Sequence, residues 1–150
     1  MSSVSSALPA VSGSNTVFLV TNFWESMSRD VEVSQGKAVT DACKQAGVKH
    51  LIYSSLLNIK ELTHGRLSHM SHFDGKADIE AYIRASGIPC TFVLAGFFMS
   101  NYFQFLQKQG DKYVFGLPID MQKARFPLFD AAGDTGWSPM FLKAQRHARY

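Results

Sequence analysis

His72 and Lys76 stand four positions apart in the stretch SHFDGKADIEAY, residues 71–82. An imidazole can act as a general acid near neutrality, and an ammonium can bond the hydroxyls of a ligand. The plain alternative is a packed His and a solvated Lys at a helix start, where the helix dipole makes a cation slightly unfavourable. Ser54 and Ser55 offer hydroxyls that could bond a substrate carbonyl, although Ser is also common at strand ends. Thr21, Asn22 and Phe23 close an apolar run, where an Asn readily bonds its own backbone in a turn, and the neighbouring Trp24 reads as a packing residue. His64, His69, His72 and Asp74 raise a metal reading, but spacings of five and three with no cysteine partner match no zinc pattern. No metal is expected.

The elements that must position these residues follow from pattern. TVFLV contains a short continuous apolar run, Val17 to Val20, which suits a strand buried on both faces. SRDVEVSQGKAVTDACKQAG has apolar residues near helical spacing, Ser28 as N-cap, Asp30 and Glu32 in the first turn, and Gly47 where a C′ glycine belongs. KHLIYSSL reads as a second strand. A loop rich in Gly, His and Asn leads to KADIEAYIRASG, a second helix closed by Gly87 and kept from resuming by Pro89. CTFVLAG is a third strand, FFMSNYFQFLQKQ a third helix and DKYVFGL another short strand. The alternation βαβαβα predicts an α/β fold with a parallel sheet and crossover helices. Such sheets bind ligands beyond the carboxyl ends of their strands, which singles out TNFWES, SSLLNIK and GFFMSN.

The 150 residues suffice for one domain with a core, and 46% hydrophobic with 18% charged residues is a globular composition. The net charge of +3 is mild and its 15 Lys and Arg are scattered, which argues against nucleic acid as a partner. No apolar run is long enough to span a bilayer. Two distant cysteines, Cys43 and Cys90, give neither a disulfide framework nor a metal spacing, fit a reducing compartment, and read as small buried hydrophobes. The Ser-rich residues 1–15 lack the basic and apolar regions of a secretory signal and read as a flexible lead-in. A dinucleotide fold announces itself by G-x-G-x-x-G after its first strand. The chain has 11 Gly but no such cluster, and GDTG at 133–136 follows no clear strand.

VFLVTNFWES, QGKAVTDACKQAGVKHLIYSSL and HGRLSHMSHFDGKADIEAYIRASGIPCTFVLAGFFMSN, in that order, resemble the NmrA-like family, an atypical branch of the short-chain dehydrogenase/reductase superfamily. That family includes a fungal negative regulator of nitrogen metabolite repression and a vertebrate NADPH sensor. The resemblance runs from about Val17 to Gly136 and implies a partial Rossmann-like domain over 16–136, beginning at the family's fourth strand. The Gly-rich N-terminal half of the dinucleotide fold is then missing, and 137–150 form an irregular tail. Without the strands that would flank it, the first strand becomes an apolar edge that invites pairing. The isolated chain is expected to be poorly soluble, a homo-oligomer through residues 16–20, or dependent on a partner.

The resemblance also implies site roles. Thr21, Asn22, Phe23, Lys76, Phe98, Met99, Ser100 and Asn101 would line the nicotinamide end of an NADP or NAD site, with Lys76 on the ribose hydroxyls. Thr21–Phe23 are otherwise a strand-end turn, and Phe98–Asn101 the first turn of a packed aromatic helix. Ser54 or Ser55 falls near the superfamily's catalytic Ser. His72 stands where that superfamily has its catalytic Tyr, so no catalytic residue is assigned and enzymatic activity, though open, is not favoured. The expected function is a non-catalytic NAD(P)(H) sensor, cytoplasmic or nuclear, acting on a transcription factor or another protein, with weak or partial cofactor binding. The alternatives are an NAD(P)H-dependent quinone or carbonyl reductase using Ser54 and Lys76, and a remnant without activity of its own.

Overall fold

A computed structural model describes residues 3–117, 120, 123, 125 and 127–135. The chain divides into two compact units that meet in sequence at Leu94 and Ala95.

The first unit opens with helix α1, Val4–Val11, where a lead-in was expected. Ser3 accepts the Ser6 N–H and the Ser6 hydroxyl accepts the Ser3 N–H, a reciprocal cap that satisfies two otherwise orphaned donors. Val4, Ala7, Leu8 and Val11 repeat at helical spacing and pack into the core, with Ala7 fully buried. A Ser-rich stretch reads as flexible only when its apolar residues share no face, and these four do.

Strand β1, Thr16–Leu19, is followed by a one-turn helix α2, Phe23–Ser26, and the long helix α3, Arg29–Gln45. Ser28 caps α3 through the Val31 N–H, and Gly47 beyond its end takes φ +70°, as the sequence predicts. Strand β2, His50–Ser55, leads through a short helix α4, Ile59–Leu62, to helix α5, Ser71–Ser86, and strand β3, Cys90–Leu94. Helix α5 starts five residues before the expected KADIEAY and ends at Gly87 with φ +77°. Both His72 and Lys76 therefore lie within the helix, and Lys76 sits beyond the first turn where the dipole would oppose it.

The three strands form a parallel sheet in the order β1-β2-β3, with Phe18 beside Ile52 and Tyr53 beside Phe92. Leu19, Leu51 and Tyr53 face a core completed by Val39, Cys43, Ile79 and Ile83 from the helices. Cys43 is fully buried there as expected, and Cys90 packs against the same cluster. Strand β1 is not buried on both faces. It sits at the sheet edge, and Phe18 is 40% exposed while Val20, just beyond the strand, is 58% exposed. Val17 and Leu19 point to the face packed against the helices, whereas Phe18 points to the other face. Helices α3 and α5 approach closely at Gly36, where a Cβ would come within 2.6 Å of Ile79 Cδ1.

The second unit contains β4, Phe97–Phe98, helix α6, Asn101–Phe105, strands β5, Leu106–Gln109, and β6, Lys112–Phe115, then β7, Leu128–Phe129, and α7, Ala131–Asp134. The single long helix expected over FFMSNYFQFLQKQ is thus a strand, one helical turn and a second strand. Residues 106–109, all exposed, pair instead in an antiparallel hairpin with β6, turned at Gly110 with φ +61°. β4 and β7 pair in parallel. The irregular tail assigned to 137–150 lies outside the described residues.

Candidate functional site

The polar groups at the carboxyl end of β1 converge on one buried network. Lys76 Nζ donates to the Thr21 carbonyl at 2.7 Å, to Thr21 Oγ1 at 2.8 Å and to Glu32 Oε1 at 2.9 Å. Thr21 Oγ1 donates to Glu32 Oε1 at 2.7 Å and lies 3.3 Å from the Tyr53 hydroxyl. Glu32 is fully buried and the Lys76 side chain is 13% exposed. An ammonium has three protons, and all three are taken by groups of this chain. The second carboxylate oxygen, Glu32 Oε2, is buried without a hydrogen-bond partner. It lies against Gly75, where a Cβ would come within 3.2 Å of it and of Arg29 Cγ. Gly75 therefore does more in FDGK than break up a helix face: it leaves room for the carboxylate that Lys76 meets. Burial pushes the Tyr53 phenol up, and the Glu32 charge acts in the same sense.

Sequence pattern placed Glu32 in the first turn of α3 as a charge favouring the helix dipole. Its burial and its bond to Lys76 follow only from α3 and α5 packing side by side. The only trace in sequence is Gly75 immediately before Lys76.

The turn after β1 divides its residues. Thr21 and Phe23 are buried. Asn22 is exposed, and its Oδ1 accepts the Trp24 N–H at 3.2 Å, capping α2. His72 lies among aromatic rings: its centroid is 5.8 Å from Phe23, 5.2 Å from Trp24 and 4.7 Å from Phe73. Burial lowers its pKa below the ordinary 6.5, and Lys76 acts in the same sense while Glu32 and Asp74 oppose it. Ser54 is half-buried on β2 beside Val93. Ser55 is fully buried and its hydroxyl donates to the Leu56 carbonyl at 3.4 Å. Asp74 accepts the Lys60 N–H at 3.2 Å. Among the described residues, no three His, Cys, Asp or Glu side chains gather as metal ligands.

The structure thus brings Thr21 and Lys76 into direct contact and sets Phe23 against His72. Phe98, Met99, Ser100 and Asn101 belong to the second unit. There Phe98 packs on Phe129 at 5.6 Å between centroids, the Met99 N–H bonds the Phe129 carbonyl at 2.9 Å, and Ser100 and Asn101 begin α6.

A parallel sheet flanked by crossover helices, with its polar groups gathered at a strand end, defines a Rossmann-like α/β protein. The chain belongs to the NmrA-like family, whose model matches residues 2–145. The match extends past 16–136 at both ends and takes in α1. An NmrA-like family domain-containing oxidoreductase of Penicillium ochrochloron is 37% identical over 138 residues, 85% of this chain and 36% of that protein. The nitrogen metabolite repression protein nmr of Neurospora crassa is 30% identical over 132 residues, 83% of this chain and 25% of that one. The chain therefore spans about a quarter to a third of these relatives. Among solved structures, NmrA, a negative transcriptional regulator, superposes with a TM-score of 0.76 at 27% identity, over 89% of this chain and 42% of that one. The NADPH-dependent quinone oxidoreductase QOR2 of Escherichia coli, solved with NADPH, gives a TM-score of 0.53 at 25% identity, over 69% and 33%. No helix among the described residues is long and apolar enough to cross a membrane.

A dinucleotide needs a pyrophosphate cradle and free donors for its ribose hydroxyls. The sequence supplies no glycine cluster of that kind, and the Lys76 donors are spent within the chain. These residues alone do not fit a whole NAD(P).

Proposed function

We propose that the chain is a regulatory module of the NmrA-like family that forms the nicotinamide-side wall of an NADP(H) or NAD(H) site and works by contact with other proteins rather than by catalysis. The observation that carries this reading is the setting of His72, which packs against Phe23, Trp24 and Phe73; by the family resemblance it stands where a reductase of this superfamily has a Tyr. A half-buried ring packed against three others supports packing more readily than proton delivery to a substrate. The protein partner is a transcription factor or another cytoplasmic or nuclear protein. Isothermal titration of the purified chain with NADPH and NADP tests the binding half: weak uptake of either supports it, and no heat at millimolar nucleotide opposes it.

The β1 edge supports a second contact. Phe18 and Val20 are exposed there, and β1 has no strand on its outer side among the described residues. A second copy pairing at residues 16–20 would cover it. Analytical ultracentrifugation then finds a dimer or larger species that Phe18→Lys dissolves; a wild-type monomer at high concentration rules the pairing out.

The oxidoreductase relatives favour a second reading, an NAD(P)H-dependent quinone or carbonyl reductase using Ser54 and Lys76. Steady NADPH oxidation with a quinone, lost in Ser54→Ala while the thermal midpoint stays in place, would replace the first reading with this one.

A further inference from the structure

We infer that Glu32 is a positioning residue, which acts through Lys76 to hold the turn Thr21–Trp24 in place, and that Lys76 serves as the latch of this turn rather than as a free ligand for ribose. The inference rests in part on the reading of this strand end as a nucleotide wall. Its geometric basis stands apart from that reading. Glu32 is fully buried and touches no solvent, so it cannot contact a bound nucleotide. It bonds the Lys76 ammonium and the Thr21 hydroxyl with the same oxygen, and Lys76 in turn holds the Thr21 carbonyl, the last acceptor before the turn. One residue further, Asn22 caps α2, and Trp24 rests on His72 of the helix that carries Lys76. The turn is thereby tied to α5 twice, through the Lys76 bonds and through the Trp24–His72 contact. For Lys76 to bond a ligand hydroxyl it would have to release one of its three present acceptors, and the Glu32 charge resists that release. The unpartnered Glu32 Oε2 and the missing Cβ at Gly75 mark a carboxylate placed for Lys76 and Thr21, at the cost of leaving one buried oxygen unbonded.

The test uses the whole chain carrying Trp137→Phe, so that Trp24 is the only tryptophan. A protonated imidazole in contact with an indole quenches its fluorescence, so acid titration of wild-type His72 gives a quenching step in Trp24 emission. Glu32→Gln keeps the side-chain shape but removes the charge that holds Lys76. It is expected to abolish the amplitude of that step, because the turn no longer keeps Trp24 on His72. It is also expected to weaken NADPH binding about tenfold to a hundredfold, as a displaced contact does. The amplitude is the deciding readout, since the Glu32 charge by itself shifts only the midpoint. A quenching step of wild-type amplitude in Glu32→Gln overturns the latch whatever the nucleotide affinity. If the wild-type chain takes up no NADPH, the nucleotide reading fails while the quenching step still decides the latch. Should Glu32→Gln not fold, the double variant Glu32→Met with Lys76→Met strands no charge and carries the same comparison.

Discussion

The segment from Ser3 to Leu94 and the segment from Ala95 to Thr135 are both supplied with aromatic and aliphatic side chains, but they use them in opposite ways. The first closes a core in which Leu51, Tyr53, Ile79 and Ile83 are fully buried, and seals a charged pair beside it. In the second no described residue is buried, and Phe103 is 89% exposed. Its rings pair at the surface instead, as Tyr102 stacks on Phe115 at 4.8 Å between centroids. Two long helices lying on a parallel sheet enclose a volume. A hairpin of two four-residue strands with a single helical turn encloses none, so its apolar side chains can only lie against one another.

This contrast can be broken most severely at the sealed pair. Lys76→Met leaves the Glu32 carboxylate buried without its cation, and the expected loss is about 3–5 kcal/mol, read as a fall in the thermal midpoint. A variant that melts with the wild type would show that the first unit's polar network contributes little. Next comes Gly36→Ala. The new Cβ would lie 2.6–2.8 Å from three Ile79 carbons, and about 1–3 kcal/mol of overpacking outweighs the gain of up to about 1 kcal/mol in helix propensity. Urea denaturation followed by far-UV circular dichroism reads it, and a stabilised variant would mean that α3 and α5 have slack between them.

The second unit should be far more forgiving. Phe115→Ala removes the stack on Tyr102 and is expected to cost about 0.5–1.5 kcal/mol, leaving the urea midpoint of the first unit unmoved. A large drop in that midpoint would erase the distinction between the units. The exposed Arg29–Asp78 pair, with side chains 47% and 34% exposed, is expected to contribute about 0.2–1 kcal/mol, less at high salt. Asp78→Asn with a salt titration measures it.

The acid side sharpens the comparison once more, because His72 belongs to the first unit. Its pKa is lowered in the fold, so below about 6.5 the unfolded chain takes up the proton first. Stability that is fully present above that value falls as pH drops toward the folded pKa, and levels off beneath it. His72→Phe, which keeps a ring among Phe23, Trp24 and Phe73, removes this slope from a set of melts between pH 7 and 5. A slope unchanged in the variant would assign it to another group.

Much of the first unit could be read without coordinates. Ser28, Gly47 and Gly87 delimit two helices through caps and left-handed backbone, which are local effects, and the apolar runs at 16–19, 50–55 and 90–94 become strands for equally local reasons. The errors fall where local rules compete. The aromatic run after Phe97 has helical spacing and β-forming rings at once, and strand pairing with residues 112–115 and 128–129 decided against a single helix. Residues 4–11 form a helix where serine content predicts a flexible lead-in, because Val4, Ala7, Leu8 and Val11 share a face.

The sequence by itself determined the alternation of strands and helices over residues 16–94, the family, and the presence of a His and a Lys on one helix, because each is carried by local patterns and their order along the chain. Only the tertiary structure decided what that Lys does. Thr21, Glu32, Tyr53 and Lys76 come from four different elements or their ends. A buried charge needs its partner within bonding distance, and which residue stands there is set by how α3 and α5 pack, not by any spacing along the chain.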